Sequence, residues 1–217
     1  MPDFTLEQEL GQTAGRIVIG LDEAGRGPWA GPVVAGAAWL DPAKLDPLLA
    51  QRLDDSKKLT AKRRNELFAA LSDPACGFAA VAVGEASVEE IDRLNILQAS
   101  LLAMQRAAAA LETTLGSGRA PQAALVDGNK LPQLACEARA VVKGDSRSLS
   151  IAAASVVAKV TRDTAMAAHA RAYPGYGWER NQGYGTAEHR AGIARLGITP
   201  LHRRSFRPIQ DALSGKS

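Results

Sequence analysis

Two cysteines, Cys76 and Cys136, are all that 217 residues contain. They stand far apart and match no metal-ligand spacing, so a disulfide framework and a cysteine zinc site are both excluded. They suit a reducing compartment and read as small buried hydrophobes. Histidine is nearly as scarce: His169, His189 and His202 form neither a zinc spacing nor a nucleophile–base pattern. No apolar run approaches the length of a membrane span, and Met1-Pro-Asp-Phe-Thr-Leu-Glu7 lacks the basic-then-apolar order of a secretory signal. The expectation is a soluble, cytoplasmic protein without internal repeats. Charge of one sign is also modest: the net is +3 and the pI near 9.0, which admits an acidic partner without selecting one.

What is present suffices for one domain with a real core, since 46% of residues are hydrophobic and 23% charged. Residues 1–15 read as a flexible lead-in, 16–208 as the folded domain with a helical C-terminal part, and 209–217 as a polar tail. Arg16–Leu21 and Pro32–Leu40 are apolar runs that read as strands, separated by a Gly- and Pro-rich turn. Thr60 N-caps a helix to about Leu71, and Gly77–Val83 makes a third strand. Ser87 and Glu90 form a capping box that opens a helix, with apolar residues at helical spacing to about Leu115. Short strands follow at 123–126 and 138–142, then a long Ala-rich helix from Ile151 to about Ala172. An aromatic, Gly-rich segment leads to a last helix, capped by Thr186 and ended by Gly197. The order predicts an α/β fold, a mixed sheet flanked by helices.

Three of these strands end in acids: Asp22 with Glu23, Asp127, and Asp145 just beyond its strand. One such Asp alone reads as a turn residue. Three of them, if their strands are parallel, gather at one carboxyl edge of the sheet, where open α/β sheets place their sites. Four converging carboxylates repel one another unless cations neutralise them. Two Mg²⁺ or Mn²⁺ ions roughly 3.5–4 Å apart would do so and would suit in-line phosphoryl transfer. No protein nucleophile is needed, and neither Ser56 nor Ser146 has an obvious base. Because successive strand side chains alternate in face, Asp22 and Glu23 share a site only if the strand breaks at Glu23.

Gly25 and Gly27 allow the backbone to approach a phosphate or sugar, and Arg26 adds positive charge. Lys57 and Lys58 read as a solvated pair, and Arg162 likewise as a solvated charge on the long helix, where Lys159 and Asp163 form an ordinary i,i+4 pair. Tyr184, between Gly183 and Gly185, is suited to stacking on a base or sugar. Arg203, Arg204 and Arg207 read equally as tail charges or phosphate contacts.

Seven stretches together resemble ribonuclease HII, in that family's order, from about Ile17 to Pro208. They are Asp22-Glu-Ala-Gly-Arg-Gly-Pro28, Asp55-Ser-Lys-Lys-Leu59, Val126-Asp-Gly128, Lys143-Gly-Asp-Ser146, Ser150 to Asp163, Gly183-Tyr-Gly-Thr186 and His202-Arg-Arg-Ser-Phe206. The resemblance implies a ribonuclease H-like fold and cleavage of RNA in RNA–DNA hybrids with Mn²⁺ or Mg²⁺, two ions per site. It also implies nicking 5′ of single ribonucleotides in duplex DNA, leaving 5′-phosphate and 3′-hydroxyl ends. Carried over, Asp22, Glu23, Asp127 and Asp145 would bind metal. Gly25, Arg26 and Gly27 would read the ribose 2′-hydroxyl and nearby phosphates, Tyr184 would contact the junction sugar, and Lys57 and Arg162 would touch phosphates.

The chain departs from the family at Asn181-Gln182, where His-Lys is common, and at Ala152, where a serine is usual. Only 21 residues precede Asp22, which argues against the ribonuclease HIII type. The last nine residues lack the paired aromatics of a sliding-clamp peptide, so no clamp binding is expected through them, and a monomer is expected. Two rival readings rank below this one: another two-metal nuclease or a transposase-like enzyme on the same fold, which would cut all-DNA duplexes, and a catalytically silent nucleic-acid-binding module, against which all four acids are present.

Overall fold

The computed structural model describes residues 1–215. Its centre is a five-stranded mixed sheet of order β3-β2-β1-β4-β5. The strands are β1 (Val18–Ala24), β2 (Val33–Leu40), β3 (Ala79–Ala86), β4 (Ala123–Asp127) and β5 (Glu137–Val141). The first three form an antiparallel meander, and β4 and β5 run parallel to β1. That parallel set meets the condition for the acids to collect at one edge: Asp22 and Asp127 both lie at carboxyl ends.

Helices cover both faces. On one lies α5 (Ile96–Leu115), whose Ala99, Ala103, Ala107 and Leu111 pack on Ile19, Leu21, Ala35 and Val126. On the other lies α6 (Leu149–Ala172), with α3 (Ala61–Ser72) outside it; here Ala153, Ala154 and Val156 meet Ala38, Leu40 and Leu67. The small residues of α6 have a reason. A Cβ on Gly20 would fall 2.1 Å from the Ser150 backbone, and one on Gly36 would fall 2.2 Å from the Ala154 carbonyl. The long helix therefore lies almost on the backbone of β1 and β2, which fixes its register over the sheet.

The helix expected over 87–115 is two helices, α4 (Val88–Leu94) and α5. Asn95 divides them with φ 69°, and its side chain accepts from the amides of Leu97 and Gln98. Asparagine tolerates positive φ and caps well, so a residue that reads as a polar helix position ends one helix and starts the next. The capping box at Ser87 and Glu90 forms as expected.

Residues 1–15 do not run loose. They hold the helix α1 (Thr5–Glu9), and Leu6 and Leu10 pack with Val18, Leu125 and Ile151. Glu7 is fully buried, and one of its oxygens accepts from the Ser148 and Ser150 hydroxyls at 2.6 and 2.7 Å and from the Ser150 amide at 2.9 Å. At the other end, the segment expected as a polar tail begins within α9 (Arg207–Leu213), which buries Ile209; the last two tail residues lie outside the described ones. Between them come α7 (Trp178–Asn181) and α8 (Ala187–Leu196), the latter capped by Thr186 as expected; a short helix, α2 (Pro47–Ala50), follows β2. No helix among the described residues is long and apolar enough to cross a membrane.

Candidate active site

The strand β1 does not break at Glu23. Its pairing with β2 continues through Glu23↔Ala35 and Ala24↔Val34. The alternation that seemed to forbid a shared site is instead how the site is built. Leu21 packs toward α5 and Gly20 faces α6, so Asp22 falls on the α6 side and Glu23 on the α5 side of the strand end. Asp22 accordingly lines a cleft of about 260 Å³ with Gly25, Ser56, Lys57, Lys159 and Tyr184. Glu23 and Arg26 line it too, and they also border a small hollow with Asp127 and Lys130. The two acids straddle the end of one strand.

Asp127 ends β4, and its Oδ1 accepts from the Gly144 amide at 2.6 Å. That amide belongs to the short 3₁₀ turn Gly144–Ser146, so one hydrogen bond ties Asp127 to the segment that carries Asp145. Lys143 enters the turn with φ 55°, and Ser148 caps α6 immediately after it. The turn, the cap and the Glu7 carboxylate thus hold Asp145 against the first turn of α6.

The electrostatics of this edge are unfavourable as they stand. Burial, then the charges of Glu23, Asp127 and Asp145, hold the Asp22 carboxyl well above the ordinary range. Burial also raises Glu23, against the opposing pull of Arg26, whose guanidinium lies 3.3 Å away. Asp145 is raised by burial and by Asp55 and Asp127. Asp55 is a fifth acid that the sequence reading did not place here. Lys57 does not behave as a solvated lysine. Burial works against its charge, but the combined field of Asp22, Asp55, Asp145 and Asp127 outweighs that and raises its pKa.

Across the cleft the turn 25–32 is held from beneath. Arg203 is fully buried, and its guanidinium donates to the carbonyls of Gly25, Arg26, Pro28, Gly31 and Pro32 at 2.6–3.1 Å. Arg162, 1% exposed, donates to Ala30, Pro32 and Gln182. It also lines the cleft, so its guanidinium braces the turn from the same place where a phosphate contact is expected. A Cβ on Gly25, where φ is 98°, would lie 1.9 Å from Arg162 Nε, so only glycine fits above it. Burial lowers Arg162 to about 10, and burial with the charge of Arg162 lowers Arg203 to about 9; both remain cations at neutral pH.

Sequence reasoning left Arg203 undecided. The signal was present in the turn itself. Pro28 and Pro32 lack N–H groups, so the turn carries more acceptors than donors and needs donors from elsewhere. With its carbonyls drawn inward, the amides of Gly25, Arg26 and Gly27 have no partner among the described residues.

Tyr184 is 49% exposed, and its ring edge would lie 3.2 Å from a Cβ on Gly27. The departures from the family pattern fall away from the cleft chemistry. Asn181 holds the Tyr184 segment through its side chain, donating to the Tyr176 carbonyl and accepting from the Gly183 amide. Gln182 offers its carbonyl to Arg162, and Ala152 lies in the core. Lys159 and Asp163 pair at 2.6 Å as expected.

Four carboxylates of this kind are hard oxygen donors, and their uncompensated repulsion fits divalent cations such as Mg²⁺ or Mn²⁺. Among the described residues no three acids already stand as a closed ion cage. Asp22 Oδ1 and Asp127 Oδ1 are engaged with the amides of Glu23 and Gly144, bonds that ion binding would have to share.

The sequence model of the family described as Ribonuclease HII matches residues 19–209. A Ribonuclease HII from Rhodospirillum rubrum is 59% identical over 215 residues, covering 99% of this chain and 93% of that relative. The crystal structure of the ribonuclease H2 from Pyrococcus horikoshii superposes with a TM-score of 0.67 at 27% identity, covering 92% of this chain and 98% of that one. The structure of Bst-RNase HIII in complex with Mn²⁺ shares the fold, with a TM-score of 0.75 at 20% identity over 100% of this chain and 74% of that one. The carboxyl-edge acids, the glycine-rich turn and Tyr184 all lie within the matched residues, and the chain belongs to the ribonuclease HII family, ribonucleases H that cleave the RNA of RNA–DNA hybrids.

Proposed function

We propose that this cleft also nicks duplex DNA on the 5′ side of a single embedded ribonucleotide, leaving 5′-phosphate and 3′-hydroxyl ends. One observation carries the reading. The free amides of Gly25–Gly27 and the exposed ring of Tyr184 share a 260 Å³ cleft with Asp22 and Glu23. A single 2′-hydroxyl is the only local difference between a ribonucleotide and its DNA neighbours, and amides plus a ring at contact distance suit reading one sugar.

Asp22, Glu23, Asp127 and Asp145 would hold two divalent ions. Those ions would supply an activated water and neutralise charge on the leaving oxygen. The protein's own groups do the rest. The amides of the Gly25–Gly27 turn donate to the 2′-hydroxyl or the adjacent phosphate. Tyr184 stacks on the next sugar and so fixes which bond enters the site. Lys57, held charged by the surrounding acids, meets a phosphate oxygen. Arg203 keeps the turn in place from beneath, and Arg162, which braces the same turn and lines the cleft, is the further candidate for a phosphate contact.

The test uses three duplexes: all DNA, DNA with one ribonucleotide, and a long RNA–DNA hybrid. Wild type should nick the second only at its ribonucleotide, only with Mg²⁺ or Mn²⁺, and should leave the all-DNA duplex intact. Tyr184→Ala should lower the single-ribonucleotide rate by roughly tenfold or more while cutting the long hybrid better. Cleavage of the all-DNA duplex, or no metal-dependent nick at the ribonucleotide, would overturn the reading.

A further inference from the structure

Behind the exposed ring of Tyr184 lies a buried cluster of Tyr176, Trp178, His189 and His202. The two histidines sit with their Nε2 atoms 3.1 Å apart, and among the described residues no carboxylate bonds to either. The neighbouring donors and acceptors assign their protons, with the single lone pair of His189 Nε2 shared between two donors. The Trp178 indole N–H can only donate, and it points at His189 Nε2 from 3.0 Å. That nitrogen is therefore bare, so His189 Nδ1 carries the proton and donates to the Tyr184 carbonyl at 3.0 Å. His202 Nε2 faces the same bare nitrogen and must be the second donor. His202 Nδ1 is then bare, and it accepts from the Thr199 amide at 2.9 Å. The Thr199 amide at one end and the Tyr184 carbonyl at the other, with the Trp178 donor between them, favour one tautomer for each ring, and a proton added to His189 Nε2 would set donors face to face.

This chain ends on the residue that meets substrate. The carbonyl of Tyr184 receives both His189 Nδ1 and, at 2.8 Å, the Thr186 amide. Its neighbours are held as firmly: Gly183 accepts from the Trp29 amide at 2.8 Å, and Gly185 from the Arg190 guanidinium at 2.9 and 3.2 Å. A Cβ on Gly185 would lie 2.1 Å from the Trp29 ring, so the segment is pressed flat against that side chain. Three consecutive carbonyls are thus held, and at the tyrosine itself the histidine supplies the side-chain bond beside the local backbone bonds to Thr186 and Asn181.

We propose that His189, backed by His202, is a positioning residue that sets where the Tyr184 ring stands over Gly27, and with it the preference for a lone ribonucleotide over a run of them. The proposal rests on the reading of Tyr184 given above. It predicts an effect on discrimination rather than on chemistry in general, because neither histidine reaches the carboxylates.

The experiment compares His189→Phe, His189→Asn and Tyr184→Ala in the full chain, on the single-ribonucleotide duplex and on the long hybrid. His189→Phe keeps a ring but loses the donor, and should lower the ratio of single-ribonucleotide to hybrid kcat by roughly tenfold, with a smaller change in KM. His189→Asn restores an N–H donor near the Nδ1 position and should recover part of that ratio. If Tyr184→Ala lowers the ratio while His189→Phe leaves it at the wild-type value, the positioning proposal fails alone. If Tyr184→Ala itself leaves the ratio unchanged, the Tyr184 reading fails and takes the proposal with it. A second measurement needs no variant to fold. In the ¹⁵N spectrum of the wild-type protein at neutral pH, His189 should be protonated at Nδ1 only and His202 at Nε2 only. The opposite tautomer, or two protons on either ring, would overturn the bracing.

Discussion

The two walls of the cleft solve opposite problems. One gathers and buries Asp22, Glu23, Asp127 and Asp145, so that burial first, and then mutual repulsion at Asp22 and Asp145, raises Asp22, Glu23 and Asp145 from their ordinary values. The other presents a turn with surplus carbonyls and meets them with two buried guanidiniums, Arg162 and Arg203. The first wall is incomplete on its own and is completed by what binds there. The second is complete before anything binds, and the amides of its Gly25–Gly27 stretch, which lines the cleft, have no partner among the described residues. A site that must both recruit cations and measure one sugar needs both kinds of wall: strain where a ligand will relieve it, and rigidity where geometry is read.

Removing one acid breaks the comparison most directly. Asp22→Asn should reduce cleavage of the hybrid by roughly 10³-fold or more, about 4 kcal/mol in the barrier. The same change should leave the metal-free protein as stable as wild type or more so, because it removes a repelled buried charge while keeping an acceptor for the Glu23 amide. Thermal unfolding with and without Mn²⁺ checks this. Wild type should gain Tm on adding the ion and the variant should gain far less. Equal gains in both would show that the carboxylate edge is not where the ion goes.

Arg203→Met tests the opposite wall. Methionine fills much of the volume but leaves the carbonyls of Gly25, Arg26, Pro28 and Gly31 without their buried donor. Stranding several acceptors should cost about 3–5 kcal/mol of unfolding free energy, read from denaturant midpoints. A loss below about 1 kcal/mol would mean the turn is held by its pairing with β1 and β2 alone.

The same contrast governs what the sequence makes legible. The carboxylate edge can be found from local pattern, because each acid follows an apolar strand and parallel pairing brings those strand ends together. The Ser87 capping box and the Lys159–Asp163 pair are equally local, and each is formed as expected. The supporting wall is not local. Arg203 donates to carbonyls more than 170 positions away, and Glu7 accepts from Ser148 and Ser150 at a separation above 140. Nothing near an arginine in the chain tells whether its fork will meet solvent, phosphate or backbone, which is why Arg162 reads as a solvated charge and folds as a buried brace. Asn95 hides for a different reason. It occupies a helical spacing without breaking it, and only its φ of 69° divides α4 from α5.

Acid pH pulls the two sides of the cleft apart. Asp22, Glu23 and Asp145 have folded values above the unfolded 3.8, 4.5 and 3.8, so their contribution is fully favourable below those values. It is lost as pH rises through the folded values, which makes the metal-free carboxylate edge a burden at neutral pH. The histidines behind Tyr184 run the other way. Burial lowers His189, and burial with His189 beside it lowers His202 to about 4 from 6.5. Their contribution is present above 6.5 and lost as pH falls toward 4, about 3 kcal/mol for His202. The metal-free protein should therefore show a shallow dependence of Tm on pH between 7 and 4, because the two slopes oppose. Separating them is the smallest expected effect and the sharpest comparison. His202→Gln should let Tm hold or rise as pH falls, whereas Asp22→Asn should make it fall more steeply than wild type. Parallel curves for all three proteins would mean that neither the carboxylate edge nor the histidine pair stores the protonation energy assigned to it.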